Sequence, residues 1–181
     1  DLNNFRIYCI NEISKNHDVK AAYYKIFKKY ADIIIGNELA MQKKINLSIQ
    51  IPNDKSSILN VHADTWSGDS AFETVCWLPM VDCLNSMCMF ILPEYNYSHF
   101  KKKYAESKNK NSDYLYDSIK KYLKWVDINF GELLVFNQNL PHGNIVNIEK
   151  NTRWSFNCRF KGIFTPYNDK KIGEFFEPIT L

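Results

Sequence analysis

The sequence predicts a mainly β domain: a double-stranded β-helix (jelly roll) core with flanking helices and one helical insertion. Three observations lead there. A strong helical period lies near the start, a series of short alternating or apolar runs follows it, and a second helical period interrupts that series. No linker, internal repeat or low-complexity tract divides the chain, so residues 1–181 read as a single domain.

Residues 18–36 carry Val19, Ala22, Tyr23, Ile26, Phe27, Tyr30, Ile33 and Ile34 at the spacing of one helix face. Asp18 is placed to cap the start and Gly36-Asn37 to end it. Ile45, Leu47, Ile49 and Ile51 then alternate with polar residues up to Pro52, the pattern of a half-buried strand. Asn53-Asp54-Lys55-Ser56 has turn chemistry, after which 58–64 is expected to be a strand. The apolar runs 74–81 and 87–92 suit buried strands. Segment 94–126 changes character. Within it Leu115, Ile119, Tyr122 and Val126 recur at helical spacing, with Asp113 and Asp117 early and Lys120, Lys121 and Lys124 late, the order that suits a helix dipole. It is expected to form a helical insertion that acts as a lid. Strands return at 132–136 and 153–162.

A chain of this length can bury roughly two thirds of its unfolded surface in one core. The net charge of +3 is too mild to demand a polyanion, so nucleic acid is not the expected partner. No apolar run approaches the roughly 20 residues of a membrane span, and no secretory leader opens the chain. Cys9, Cys76, Cys83, Cys88 and Cys158 form no Cys-x-x-Cys pair, and four lie in or beside apolar runs. Buried free thiols in a reducing cytoplasm are therefore expected. Abundant Tyr and Phe suit a ring-lined ligand site, although an ordinary β-rich core accounts for most of them.

The chemistry lies in an ordered set: His62-Ala63-Asp64, then His142, then Arg153-Trp154-Ser155. Two neutral imidazoles and one carboxylate hold Fe(II) on one triangular face and leave the opposite face open. Residues i and i+2 of an extended segment point the same way, so His62 and Asp64 can reach one metal from one strand end. His142 follows the strand-like run Leu133-Leu134-Val135-Phe136 and brings the third ligand from a distant strand. Along 153–160, Trp154, Phe156, Cys158 and Phe160 share one face, and Arg153, Ser155, Asn157 and Arg159 share the other. Asn60 shares the face of His62. A lone His-x-Asp is usually just a polar strand end; the order of the whole set carries the reading.

That set resembles the Fe(II)/2-oxoglutarate-dependent dioxygenases, whose pattern is His-x-Asp, a long gap, His, then Arg with Ser often two residues later. The stretch from Glu73 through Trp77 to Cys83 is similar to a Trp-bearing strand of the phytanoyl-CoA-hydroxylase-like branch, and Met87 to Pro93 to the strand after it. Gly131 to Phe136, His142-Gly143 and Asn147 complete the correspondence, which spans roughly 45–165 and looks closest to small oxygenases of carbohydrate and aminoglycoside biosynthesis. The resemblance implies a cupin-like barrel with His62, Asp64 and His142 as iron ligands and catalytic centre. It implies Arg153 gripping the distal carboxylate of 2-oxoglutarate, Ser155 adding a hydrogen bond, and Asn60 and Trp77 as further contacts. O2 would take the remaining metal position, and decarboxylation to succinate and CO2 would drive oxidation, most often hydroxylation, of the substrate. Related halogenases replace the carboxylate, so Asp64 points to oxygenation. Arg159 lies about 20 Å beyond Arg153 along an extended strand and is expected to be structural or substrate-facing. Enzymes of the branch are often longer at the start, so a segment before Asp1 is expected to be missing.

The branch's usual Gly-Ser-His after the second strand is replaced here by Glu94-Tyr95-Asn96-Tyr97-Ser98-His99. Lys101, Lys102, Lys103, Lys108, Lys110, Lys120, Lys121 and Lys124 then lie among Tyr104, Tyr114, Tyr116 and Tyr122. Such a segment can be a solvated face, track a nucleic-acid backbone, or meet the phosphates of a nucleotide-linked sugar. A sugar-containing small molecule is the expected substrate. The alternatives are a non-redox cupin-like sugar isomerase or epimerase, which leaves Arg153 and Ser155 unexplained, a nucleic-acid- or protein-directed oxygenase of the same chemistry, and a metal-free binding module that keeps the barrel.

Overall fold

Side chains alternate across each strand, and here both faces of both sheets find cover. The computed structural model describes residues 1–107 and 112–179. It begins with α1 (Leu2–Lys15) and α2 (His17–Ile34), then β1 (Leu39–Gln42), β2 (Asn46–Gln50), β3 (Thr74–Pro79) and β4 (Met89–Ile91). After α3 (Tyr97–Ser107) and α4 (Ser112–Ile119) come β5 (Lys124–Val126), β6 (Leu134–Asn137), β7 (His142–Asn144), β8 (Arg153–Gly162) and β9 (Phe176–Pro178). The larger sheet has the order β6-β3-β8-β1-β9, with β2 also on β8, and the smaller sheet is β5-β4-β7. Pairing between these strands is antiparallel. Strand β8 is the spine: β3 pairs along one edge, from Thr74 opposite Phe160 to Pro79 opposite Ser155. The other edge takes β1 at 160–162 and then β2 at 153–157.

The outward residues Cys76, Cys158 and Phe160 of the larger sheet lie under Tyr23, Tyr24, Phe27 and Ala31 of α2. Val75 and Trp77 point the other way and meet Cys83, Met87, Met89 and Phe136 between the sheets. From the smaller sheet, Phe90 and the adjoining Leu92 face Phe100, Leu115 and Ile119 of the insertion.

Several expectations need correction. Asn16 caps α2 rather than Asp18: its side-chain oxygen accepts from the Asp18 and Val19 amides, and Asp18 lies in the first turn. Ile26, Tyr30, Ile33 and Ile34 are exposed, because the apolar stripe of α2 is wider than the sheet face it covers. Strand β2 is not half-buried. Helix α1, whose weak pattern gave no expectation, packs beside it, with Arg6 donating to Ser57. The polar face of β2 turns inward instead of to water. Turn 53–56 forms as expected, with Asn53 at φ +58° and the Ser56 amide donating to Asp54. Residues 58–64 do not form a continuous strand; a single bridge joins His62 to His142, and Asp64 opens a 3-10 turn, Asp64–Ser67. In the insertion the helical period breaks after Ile119. Lys120–Tyr122 is one 3-10 turn, and Val126 lies in β5 opposite Met89, where ladder pairing outweighs a four-residue apolar period. Lys108 and Lys110 lie outside the described residues.

Candidate metal centre

The bridge between 62 and 142 places the two histidines side by side. The amide of each donates to the other's carbonyl, at 3.0 and 2.8 Å, and their ring centroids are 4.3 Å apart. The Asp64 amide donates to the Gln138 carbonyl, which turns the Asp64 carboxylate back toward both rings. His62 Nε2 is 3.5 Å from Asp64 Oδ1 and His142 Nε2 is 3.7 Å from the same oxygen. One ligand atom from each of the three residues falls within 4.8 Å of the others. Donors bound at roughly 2.0–2.2 Å to one divalent ion stand roughly 3 Å apart at right angles, so each histidine needs to approach the Asp64 oxygen by less than an ångström to share a metal with it. Both rings are already oriented for it. His62 Nδ1 donates to the Asn60 carbonyl at 2.7 Å and His142 Nδ1 to the Leu140 carbonyl at 2.8 Å. A carbonyl can only accept, so in the neutral rings each Nε2 is left as a lone pair for metal.

The electrostatics agree. Burial alone would raise the Asp64 carboxyl, but the His62 hydrogen bond and the Arg159 and His142 charges hold it well below the usual carboxylate range. Burial works against a His62 cation, yet Asp64 and the Asn60 carbonyl raise it above the ordinary imidazole value. Burial and the neighbouring His62 lower His142 to about 4. The trio therefore carries an ionised carboxylate and at least one neutral ring in the metal-free protein.

Gly143 explains how two chain segments come so close. A Cβ there would lie 2.6 Å from the Leu59 carbonyl oxygen, 2.7 Å from Phe90 Cζ and 3.1 Å from the Asn60 carbonyl oxygen. Asn144 locks the same crossing, accepting from the Leu59 amide and donating to the Ser57 carbonyl. Gly143→Ala must push the His62 segment off β7. It should cost about 1–3 kcal/mol and weaken Mn(II) uptake, measured by thermal melting and calorimetric titration; wild-type behaviour in both would show that the crossing is not tight.

One cavity of about 270 Å3 contains the trio and Arg153 together with Asn46, Ser48, Val75, Trp77, Met89, Phe136, Asn157 and Arg159 among its lining residues. Arg153 is buried, and burial lowers its pKa. One guanidinium nitrogen donates to Ser48 Oγ at 3.0 Å and the group lies 6.0 Å from the Trp77 ring centre, while Nε finds no acceptor. No carboxylate pairs with it among the described residues. Ser155, fully buried on the same strand face, also has an unsatisfied hydroxyl. A buried cation without an acid partner in the cavity of the trio is what an anionic ligand would satisfy, whereas Ser155 is not among the residues that line that cavity.

Other expected residues fall differently. Asn60 lines a separate small cavity with Asp113 and Tyr116, and what it gives the centre is its backbone carbonyl. Trp77 is in the cavity wall and in the inter-sheet core at once. Segment 94–126 supplies none of the cavity lining among the described residues; it covers the outer face of the smaller sheet, so the lid expectation gains no support. Its link to the centre is Trp66, from the turn begun by Asp64, whose ring stacks on Tyr104 at 4.8 Å. Asn46, Ser48, Leu59 and Asn144 line the cavity and carried no specific expectation. Asn46 donates to Asn157 across the β2–β8 pair at 2.9 Å. The alternation Asn46, Ser48, Gln50 was visible in the sequence, but an inward polar face looks the same as a solvated one.

No protein-family model matches the chain, and no curated protein matches it in sequence. Solved structures share its fold. HygX from Streptomyces hygroscopicus, with nickel and 2-oxoglutarate bound, aligns at a TM-score of 0.62 and 12% identity over 88% of this chain and 70% of that one. SnoK, a non-heme alpha ketoglutarate dependent carbocyclase from nogalamycin biosynthesis, aligns at 0.60 and 16% identity over 92% and 73%. The nickel complex of ThoJ, a non-heme monooxygenase, aligns at 0.56 and 15% identity over 78% of this chain and 51% of that one, so this chain spans about half of ThoJ's length. At these identities the likeness concerns the fold.

Proposed function

We propose that this chain is a mononuclear non-haem Fe(II), 2-oxoglutarate-dependent dioxygenase, that its two sheets form the double-stranded β-helix of that class, and that its primary substrate is a sugar-containing small molecule. The observation that carries the reading is that one cavity holds both the two-histidine, one-aspartate trio and a buried arginine without an acid partner among the described residues. Iron and 2-oxoglutarate, when bound with O2, supply oxidative decarboxylation coupled to oxidation of a C–H bond. His62, Asp64 and His142 hold the metal from one side. Arg153, steadied by Ser48, receives the distal carboxylate. Val75, Met89, Phe136 and Trp77 form an apolar wall that keeps water from the charged pair.

The cavity lies below the roughly 300–1,000 Å3 of common ligand sites, so it suits a small dicarboxylate and leaves a larger substrate resting at its opening. His62 is the most accessible ligand, its side chain 30% exposed against 9% for His142 and 10% for Asp64, so the substrate approaches on that side. Trp66 and Tyr104, stacked and 42% and 38% exposed, offer amphipathic rings near the Asp64 turn that suit a hydroxylated ring better than an acyl chain. Hydroxylation is the proposed outcome.

Succinate release from 2-oxoglutarate by the Fe(II)-loaded protein tests the reading, across a panel of sugars, nucleotide-linked sugars, a fatty acyl-CoA and single-stranded DNA. Acceleration by a saccharide is expected. No succinate under any condition would remove the dioxygenase assignment. Acceleration only by the acyl-CoA or the DNA would keep the iron chemistry and replace the substrate class.

A further inference from the structure

Each metal ligand is held from behind, but not in the same way. The two histidines are aimed by main-chain carbonyls, which any sequence supplies. Asp64 is aimed by a side chain. Arg159 Nη2 donates to Asp64 Oδ2 at 2.8 Å, while Oδ1 is the oxygen that faces both imidazoles. The carboxylate is thus divided, one oxygen for the metal and one for the guanidinium.

Arg159 is itself fixed on its other edges. Its Nε donates to Gln138 Oε1 at 3.0 Å and lies 3.2 Å from Asp69 Oδ1, and Nη1 donates to Gln42 Oε1 at 3.3 Å. The Gln138 amide nitrogen donates to Glu73 Oε2 and to the Ser70 carbonyl, both at 2.8 Å, which leaves its Oε1 turned toward Arg159. Asp69, nearly fully buried, also pairs with Lys170. Arg153 and Arg159 share a strand face yet differ in kind: one is short of acceptors, the other is bound to acids on two sides. Arg159 is therefore not poised for an incoming anion.

We propose that Arg159 is a positioning residue for the metal centre: by holding Oδ2, it confines Asp64 to one-oxygen ligation through Oδ1 and keeps the metal's opposite positions open. A carboxylate can bind a cation through one oxygen or two, and a second bond would occupy a position that a chelating keto acid and O2 require. The idea rests on the metal-centre reading above.

Co(II) is the probe, followed by calorimetry and by its visible d–d bands, in wild type and in Arg159→Gln. The variant should bind Co(II) roughly 10–100-fold more weakly with altered bands, while the KM for 2-oxoglutarate at saturating Fe(II) rises, but by far less than in Arg153→Ala. Arg159→Lys keeps the charge, but one ammonium cannot span Asp64, Gln138 and Gln42; it should regain part of the affinity and not the wild-type spectrum. Should Arg159→Gln not fold, Asp69→Asn removes an anchor of Arg159 and should shift affinity and spectrum the same way by less. Wild-type bands and affinity in the folded variants would overturn the proposal, and so would a lower melting temperature with an unchanged spectrum, which marks a merely structural role. Failure of the wild type to take up Co(II) would instead remove the metal-centre reading and this inference with it.

Discussion

A His62→Ala, His142→Ala variant is expected to bind neither Fe(II) nor Mn(II) at one equivalent and to release no succinate, while keeping the circular dichroism of the wild type. Two of the three donors are gone, and a single carboxylate in a partly buried cavity cannot replace them. The fold should survive because 62 and 142 pair through main-chain amides and carbonyls that alanine retains. Alanine at 142 gives up the edge-to-face contact with Phe136 at 5.0 Å and the hydrogen bond to the Leu140 carbonyl. Melting curves add an independent readout. Metal at 100 times its Kd stabilises the native state by about 2.7 kcal/mol, or roughly 5–10 °C for a chain of this size; the double variant should show no such shift. Undiminished turnover in the double variant would refute the assignment.

Removing Arg153 should separate binding from stability. Arg153→Ala leaves one carboxylate of 2-oxoglutarate without its charged partner, a loss of about 2–5 kcal/mol for a buried pair, so the KM for 2-oxoglutarate should rise tens-fold or more. The ligand-free fold has little to lose. Arg153 is a buried cation with no acid partner among the described residues and with Nε unsatisfied, and burying such a group is unfavourable. Arg153→Met, which fills much of the same space, should therefore melt at or above the wild-type temperature without ligand and still fail to bind 2-oxoglutarate. Arg159→Ala should affect this KM far less, because its guanidinium is engaged by Asp64 and Asp69. Reversed effects of the two arginines would mean that Arg159 holds the co-substrate.

The sequence by itself determined which residues form the candidate trio and the two faces of β8. His62, Asp64 and His142 are brought together as their order and types implied, and Cys158 and Phe160 pack outward while Arg153, Asn157 and Arg159 face the cavity. The two faces of β8 were legible because two-residue alternation is a local property, independent of which element lies opposite. Only the tertiary structure decided which polar face meets water. Asn46 and Ser48 look solvated until α1 takes the apolar side of β2 and the smaller sheet closes over the other. The 58–64 segment looks like a strand, yet pairs at one residue because Gly143 lets it cross β7 at close range. The different roles of Arg153 and Arg159 likewise follow from what surrounds each guanidinium. Asp64, Asp69 and Gln138 come from distant parts of the chain to engage Arg159, whereas Arg153 meets Ser48, the Met87 carbonyl and the Trp77 ring but no carboxylate among the described residues. A charge's partner is set by distance in space, and these distances exist only once the sheets have closed.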